Sequence, residues 1–367
     1  MGQLGIRRTA ALVLVGVVAA GLAGAWLMRG QLATAAMEKV YLRAMAGDPY
    51  AGLPDGLHVG LCGSGSPMPD PTRAGPCTVV LAGRKLFVVD SGAGGVKNLS
   101  LMNLPPGRVE AVFLTHFHSD HIDGLGELML QRWASGPNTR PLPVYGPTGV
   151  DQVVAGFQSA YVLDSGYRVA HHGPVVIPPS GFGGVAHPFE ARPDLPDVTV
   201  IDAPDLKVVA FPVHHDPVEP AVGYLFIYKG RRAVISGDTA ASPRLEAAAR
   251  GADLLVHEGL APNLVALQRK AALADHRPNL AAIFHDILSY HTTPEQAAGI
   301  AQRAGVKYLL FTHVIPPLPS RALEGPFLGR ARDIFKGQIR VGHDGDLITL
   351  PAGTTEIGYS DRLKDFR

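Results

Sequence analysis

The sequence predicts an α/β fold in which many short strands are joined by tight turns. Of the 367 residues, 46% are hydrophobic, which is enough for one large domain with a sizeable core. The 43 glycines and 31 prolines separate short apolar runs, and this distribution favours strands and turns over stacked helical repeats. The helical part of the prediction comes from segments with clear start and stop signals between some of the strands.

The individual elements follow from apolar runs and from capping residues. Strands are predicted at 57–62, 77–82, 86–90, 110–115, 206–213, 232–235, 306–313 and 345–350, with a helix at about 123–133. A second helix has clear boundaries, because Thr293 can cap it and Gln296 completes a capping box. Pro294 suits its first turn and Gly305 ends it, so this helix leads directly into the last but one of these strands.

The N-terminal segment differs from the rest of the chain. The stretch 9–28 contains no charged residue and is long enough to cross a bilayer as a helix, for which about 20 residues are needed. Arg7 and Arg8 favour a cytoplasmic N-terminus. We therefore expect 1–35 to be an uncleaved membrane anchor and 36–55 a linker, with the following domain in the periplasm or outside the cell. A cleaved signal segment, giving a secreted protein, is the alternative, and a core helix is a third interpretation.

Positions 115–124 read Thr-His-Phe-His-Ser-Asp-His-Ile-Asp-Gly and follow an apolar run. His116, His118 and His121 stand with Asp120 within six residues. Imidazole nitrogens and carboxylate oxygens suit zinc, with manganese or iron(II) as alternatives. A histidine-rich surface loop is the less favoured interpretation, because further candidate ligands follow downstream. The motif predicts a metal site that can hold two ions.

The pattern His-x-His-x-Asp-His after a strand resembles the signature of the metallo-β-lactamase superfamily, in its ribonuclease Z-like and arylsulfatase-like branches. The resemblance implies an αββα sandwich, in which two mixed sheets are flanked by helices and the metals lie at one edge. It also implies ligands at three later strand ends. We identify these as His215, preferred to its neighbour His214 because of the Gly-Tyr that follows it, Asp238 in a Ser-Gly-Asp-Thr turn, and His313 in a Thr-His pair.

The resemblance further implies a distribution of ligands over two Zn²⁺ ions. The first ion takes His116, His118 and His215, the second takes Asp120, His121 and His313, and Asp238 bridges them. A hydroxide between the two metals would then be the nucleophile of a hydrolysis. Class B β-lactamases usually lack this bridging carboxylate, so Asp238 argues against a β-lactamase.

Two other groups of residues are implied by resemblance to the ribonuclease Z-like enzymes. Glu258 would hold His291, and His291 would act as a general acid or stabilise an oxyanion, so that Asp120, Glu258 and His291 form the catalytic set. The alternative for His291 is a polar residue at a helix start. Ser64 and Gly65, in a glycine-rich loop, are weaker candidates for substrate binding through backbone N–H groups.

The catalytic domain is expected to span 56–350, followed by a C-terminal tail at 351–367. Its segment 148–200 is rich in proline and glycine and is either an inserted lid or a passive surface excursion. Cys62 and Cys77 could pair in an oxidising compartment, although two buried free thiols are the favoured interpretation. The substrate would contact walls formed by 64–74, 133–200 and 260–290.

The sequence identifies the class of substrate only in part. The favoured reaction is hydrolysis of a phosphodiester or a sulfate ester, since both present a tetrahedral anion to two cations. Alternatives are a ribonuclease Z-type tRNA 3′-processing endonuclease, a lactonase, and a metal-binding surface protein without catalytic activity. The net charge of +1 and the acids of 148–200 speak against a nucleic-acid partner without excluding it. We expect a small anionic ester as substrate and the membrane as partner of the N-terminal helix, and a homodimer is left open.

Overall fold

Two mixed β-sheets packed face to face form the centre of the larger of two units in this chain. In a computed structural model, residues 3–136 and 138–366 are described, and the larger unit begins at Gly52. Its core lies between the sheets, where aromatic side chains from both of them meet. Phe113 of the first sheet packs edge to face on Phe226 of the second, with ring centroids 5.4 Å apart.

The described residues of this unit contribute fifteen strands. In chain order they are β1 (Gly56–Gly63), β2 (Cys77–Ala82), β3 (Lys85–Val89), β4 (Val109–Phe113), β5 (Leu142–Pro147), β6 (Gly184–Phe189), β7 (Val198–Ala203), β8 (Leu206–Pro212), β9 (Val222–Tyr228), β10 (Arg231–Ile235), β11 (Leu254–Leu260), β12 (Tyr308–Ile315), β13 (Gln338–Val341), β14 (Asp346–Pro351) and β15 (Gly358–Asp361). The first sheet has the order β15-β14-β1-β2-β3-β4-β5-β6 and the second β13-β12-β11-β10-β9-β8-β7. Both contain parallel and antiparallel pairs.

Helices cover the outer faces of both sheets. The α-helices among the described residues are α1 (Gln3–Leu27), α2 (Arg29–Ala46), α3 (Gly95–Leu101), α4 (Ser119–Ile122), α5 (Leu125–Ala134), α6 (Val150–Ala160), α7 (Val162–His172), α8 (Pro243–Ala248), α9 (Pro262–Ala274), α10 (Pro278–Asp286), α11 (Pro294–Ala304), α12 (Glu324–Leu328) and α13 (Ala331–Ile334). Helices α3, α5 and α6 pack on the first sheet, and α8 and α11 pack on the second. The predicted sandwich of two mixed sheets flanked by helices is therefore confirmed.

The strands predicted from apolar runs coincide closely with β1, β2, β3, β4, β8, β10, β12 and β14. The predicted capping box of α11 is also present, because Thr293 accepts from the backbone of Gln296 and Gln296 returns the bond. Gly305 ends this helix in the left-handed conformation, with φ +67°. The segment 148–200, which carried no clear pattern, forms α6, α7, β6 and the first half of β7, and these two edge strands are half exposed.

The N-terminal unit consists of α1 and α2. Among the residues described, neither helix alone combines the length and the apolar composition needed to cross a membrane. The segments Ala11–Leu27 and Arg29–Leu42 meet these conditions only together, and their axes differ by 63°. The membrane anchor and the location outside the cytoplasm therefore stay predictions. Much of the expected linker 36–55 is helical, because α2 continues to Ala46.

The C-terminal segment 351–367 is not merely a tail. It contains β15, which pairs antiparallel with β14 and forms one edge of the first sheet. The hydroxyl of Tyr359 donates to Asp346 over 2.9 Å, and the Arg340 guanidinium lies 3.8 Å from the centre of the same ring. The strand is short and polar, so an apolar pattern could not reveal it.

Cys62 and Cys77 form a disulfide, so the favoured interpretation of two free thiols is wrong. Cys62 lies at an irregular step in the register between β1 and β2. The loop that the bond closes is also fixed at its base by Asp344. This carboxylate accepts from the backbone and hydroxyl of Ser64 and from the backbone of Ala74, at 2.7 to 2.9 Å.

Replacing both cysteines by serine should lower the free energy of unfolding by about 3 kcal/mol, because the bond closes a loop with a separation of 15 residues. Urea denaturation of the oxidised protein and of the Cys62→Ser/Cys77→Ser variant measures the difference. Thiol titration in denaturant, before and after reduction, is the control that the bond was present. Equal unfolding midpoints for an oxidised sample and the variant would contradict the prediction.

Candidate metal centre

The predicted ligands lie at one edge of the sandwich, where strands of both sheets end. They are His116, His118, Asp120 and His121 after β4, His215 after β8, Asp238 after β10, and His313 near the end of β12. Of these side chains, that of His118 is exposed and the others are buried. Segments far apart in the chain thus place all seven potential metal ligands in one small region.

The ring nitrogens of His116, His118 and His215 converge on one point. Nε2 of His116 lies 3.0 Å from Nδ1 of His118, and that atom lies 3.4 Å from Nε2 of His215. Nitrogens that bind a tetrahedral ion at about 2.0–2.1 Å are separated by about 3.3 Å. The observed spacing therefore fits a divalent cation held by these three rings.

Asp120, His121 and His313 form a second group beside the first. Nε2 of His313 is 3.3 Å from Oδ2 of Asp120, and Nε2 of His121 is 3.6 Å from the same oxygen. One carboxylate and two imidazoles are a ligand set that suits zinc and related divalent ions.

Asp238 contacts both groups. Its Oδ2 is 3.2 Å from Nε2 of His313 and 3.3 Å from Nε2 of His121. The same oxygen is 4.0 Å from Nε2 of His116 and of His215. Its Oδ1 is buried and has no hydrogen-bond partner among the described residues. Such an unpaired oxygen is costly, and a bound metal ion would explain it. Asp238 therefore lies between the two groups of potential ligands.

Burial and charge at the site favour bound cations. Burial and the neighbouring His121 lower the pKa of His116 well below its usual value, so the ring is neutral and can offer a lone pair. Burial acts in the same direction on His121, but the carboxylates of Asp238 and Asp90 raise its pKa well above the usual value. Burial would raise the pKa of Asp238, but His313 and His121 lower it well below its usual range. The buried carboxylate therefore stays ionised and requires positive charge beside it.

Asp90, at the end of β3, orients ligands of both groups. Its Oδ2 accepts from Nδ1 of His121 over 2.8 Å and from the hydroxyl of Thr115 over 2.8 Å. The Thr115 oxygen can in turn accept from Nδ1 of His116 at 3.1 Å. Nδ1 of each ring is thus engaged, and Nε2 faces the centre as the atom that would bind a cation. The sequence analysis did not identify Asp90 or Thr115 in this role.

His215 is oriented in the same way by the backbone. Its Nδ1 donates to the carbonyl oxygen of Tyr290 over 3.0 Å, which leaves Nε2 for a metal. His214 is exposed and points away, while its backbone pairs with Ala240. The structure thus places the preferred residue of this pair with the other ligands.

Glu258 and His291 lie beside the second group. Nδ1 of His291 donates to Oε1 of Glu258 over 3.0 Å, and this oxygen also accepts from the backbone of Thr292 and of Thr239. Burial would lower the pKa of His291, but Glu258 and Asp238 raise it above its usual value. The bond to Glu258 therefore fixes the orientation of the His291 ring and leaves its Nε2 facing the site.

Two backbone features turn ligands towards the centre. In the Ser-Gly-Asp turn Gly237 has φ +60°, and a Cβ there would lie 2.7 Å from the carbonyl oxygen of Val222, so only glycine fits. His313 also has a positive φ, of 46°, and lies where β12 gains one residue relative to β11. Such a bulge re-aims a side chain at the rim of a sheet.

A cavity of about 920 Å³ opens directly over the ligands. His118, Asp120, Asp238, His291 and His313 line its inner end. Its outer walls come from 66–71, from α9 and α10 with the residues that follow them, and from 315–319. Two of the three predicted walls are therefore present, and none of the described residues that line the cavity comes from 148–200.

The candidates Ser64 and Gly65 do not line this cavity. The hydroxyl of Ser64 donates to Asp344 over 2.8 Å, and the N–H of Gly65 donates to the carbonyl of Ala74 over 2.8 Å. The next residue, Ser66, lines the cavity instead, and its buried hydroxyl has no partner among the described residues. The bonds of Ser64 and Gly65 thus hold the loop in a conformation that places Ser66 at the cavity.

Both the sequence and the fold of this chain resemble those of known proteins. The family model of the metallo-beta-lactamase superfamily matches residues 70–284. The ribonuclease Z of Mycolicibacterium gilvum is 36% identical over 290 residues, which are 78% of this chain and 94% of that relative.

Two solved structures resemble the fold of this chain. The metallo-beta-lactamase fold protein YhfI from Bacillus subtilis has a TM-score of 0.56 at 19% identity, over 80% of this chain and 99% of that one. The short form of human tRNase Z has a TM-score of 0.56 at 22% identity, over 80% and 99% of the two chains. At these identities the likeness is one of fold.

Replacing Asp90 by asparagine should weaken zinc binding by about 10- to 100-fold, because an NH2 group replaces one acceptor oxygen and the amide cannot accept from both Nδ1 of His121 and the backbone N–H of Thr115. Competition with a chromophoric chelator measures the affinity. Asp123→Asn is the matched control, since Asp123 is an exposed carboxylate of the same motif. Equal zinc affinity in the two variants would show that Asp90 does not position the ligands.

Proposed function

Because the chain belongs to the metallo-beta-lactamase superfamily, we propose that it is a metal-dependent hydrolase that cleaves a phosphodiester bond. The predicted resemblance to this superfamily is confirmed by the family match and by the ribonuclease Z relative. The observation that carries the proposal is the set of six potential metal ligands around Asp238, together with the Glu258–His291 pair at the inner end of the cavity.

The roles of the residues follow from their positions. Divalent cations held by the two groups would lower the pKa of a bound water and polarise a phosphoryl oxygen. The oxygen of that water would form the new bond to phosphorus as the bond to the leaving oxygen breaks, and the proton lost by the water would pass to solvent. His291 faces the cavity and gives its proton to that leaving oxygen. Glu258 keeps the ring in place and stabilises its protonated form, and Asp120 and Asp238 balance the charge of the cations.

We propose that the protein cleaves a phosphodiester bond rather than a sulfate ester bond. A ribonuclease Z cleaves phosphodiester bonds of RNA, and the relative of that name covers most of the present chain. The relatives thus favour a ribonuclease Z-type activity among the alternatives, and they give no support to sulfate esters or lactones. Two zinc ions, a small anionic substrate and a homodimer stay predictions.

The zinc-loaded full-length protein should hydrolyse bis-p-nitrophenyl phosphate and leave p-nitrophenyl sulfate unchanged. Asp238→Ala should reduce the phosphodiesterase rate by more than about 100-fold, beyond the cost of losing a residue that only positions a ligand. Chelation should abolish the activity and added zinc should restore it. Release of p-nitrophenolate measures each rate.

Asp202→Ala is the control for this experiment, because it removes an exposed carboxylate of β7. A tRNA precursor with a 3′ trailer is incubated in parallel, and cleavage that Asp238→Ala abolishes would identify RNA as a substrate. A zinc-loaded protein that is inert towards both phosphodiester and RNA would contradict the proposed function.

The role of His291 predicts a dependence on the leaving group. With methyl phenyl phosphate, His291→Ala should lower kcat by about 10²- to 10⁴-fold, because phenolate is a strong base and needs the proton. With methyl p-nitrophenyl phosphate the loss should be much smaller, since p-nitrophenolate leaves without protonation. Initial rates on the two esters and the zinc content of each sample are the measurements.

His214→Ala provides the matched control, because His214 is a neighbour of a ligand but lies outside the site. If His291→Ala lowered the two rates equally, or lost zinc, then His291 would serve as a ligand rather than as a proton donor.

A further inference from the structure

The cavity over the metal centre has two chemically different ends. Its inner end carries the histidines and carboxylates described above. Its outer walls are mainly apolar and include Met68, Leu280, Ile283, Ile287 and Ile315. A substrate that fills the cavity would therefore place its reacting group on polar residues and the rest of its structure against hydrocarbon.

The apolar wall is built by a helical hairpin, α9 and α10, that is inserted between Glu258 and His291. Phe284 and Ile287 pack with Ile315 into a buried cluster that fixes the hairpin on the domain. Ile283 lies outside this cluster and lines the cavity, and 52% of its surface is exposed. An exposed apolar side chain in the wall of a site, on a helix that is fixed by packing, is typical of a surface that a ligand covers.

Positive charge on these walls is scarce. Arg277, between the two helices, is the one arginine or lysine among the described residues that line the cavity, and it has no ion-pair partner there. Arg269 and Lys270 of α9 are exposed but do not line the cavity. A polynucleotide backbone needs a series of cationic groups along its path. One guanidinium at the mouth suits a substrate with a single anionic centre.

We infer that the substrate is a phosphodiester with one anionic centre whose non-leaving group is apolar and lies against the α9–α10 hairpin. This inference rests on the proposed function and narrows it. The phosphoryl group meets the metal ligands and His291, while the apolar group covers Ile283 and the side chains beside it. Ser66 and Gln268, two polar residues of the outer wall, each have a buried oxygen without a partner among the described residues and can bind a polar atom of that group.

The experiment compares two phosphodiesters with the same leaving group on the zinc-loaded full-length protein. Bis-p-nitrophenyl phosphate and methyl p-nitrophenyl phosphate both release p-nitrophenolate and differ in the group that stays on phosphorus. The aryl ester should have a kcat/KM at least about 10-fold higher, mainly through KM, because its ring buries apolar surface on the wall.

Ile283→Glu should reduce this preference by about 10-fold, because a carboxylate replaces the apolar contact with the aryl ring. Its repulsion of the anionic phosphate acts on both esters alike and leaves their ratio unchanged. Leu273→Glu is the matched control, since Leu273 belongs to the same hairpin and is also 52% exposed but does not line the cavity. The control should keep the full preference for the aryl ester. Equal kcat/KM for the two esters, or equal effects of the two substitutions, would overturn the inference while leaving the proposed function intact.

A second readout does not require turnover. The fluorescent anion 1-anilinonaphthalene-8-sulfonate should bind the zinc-loaded protein, and Ile283→Glu should weaken that binding about 10-fold while Leu273→Glu does not. If neither ester is hydrolysed, the proposed function fails, and this binding still decides whether the apolar wall receives a ligand. A tRNA precursor cleaved with a higher kcat/KM than the aryl ester would overturn the inference in favour of RNA.

Discussion

The orientation of the metal ligands depends on one buried carboxylate. Asp90 accepts from His121 and, through the hydroxyl of Thr115, fixes the ring of His116, so one side chain at the end of β3 sets a ligand in each group. Its other oxygen accepts from the backbone of Thr115, which ties the strand end to the turn that carries the motif. Since an imidazole can turn either nitrogen to a metal, these bonds decide that the lone pairs face the centre.

The same edge of the sandwich concentrates charge that the protein alone does not balance. Asp238 is buried with four imidazole nitrogens within 4.0 Å. The four rings come from the ends of three strands, β4, β8 and β12. Ionised carboxylates and convergent lone pairs are costly in a buried site unless a cation joins them. This constraint explains why the centre lies where β4, β8, β10 and β12 end, since only there can side chains from both sheets approach one point without displacing the core between them.

The sequence was most informative where residue type and spacing are dictated by chemistry. His116, His118, Asp120 and His121 are recognisable because metal ligation requires those residues, and the later ligands follow the strand ends of the family. Asp90 was missed, because a lone acid after a strand has no distinctive spacing and its role depends on three-dimensional contact with Thr115. The disulfide was missed because pairing depends on the register of β1 and β2, and β15 because a short polar edge strand lacks an apolar pattern.

The hydrogen bond between Glu258 and His291 also closes a loop, since the two residues are 33 positions apart and the α9–α10 hairpin lies between them. The entropy of closing such a loop grows slowly, by about 0.6 kcal/mol for each doubling of its length. The wall of the cavity can therefore change in length and sequence at little cost while its two ends stay fixed by the bond between Glu258 and His291. The proposed substrate wall and the proposed proton donor thus belong to separable stretches of chain, so the first can diverge while the second is retained.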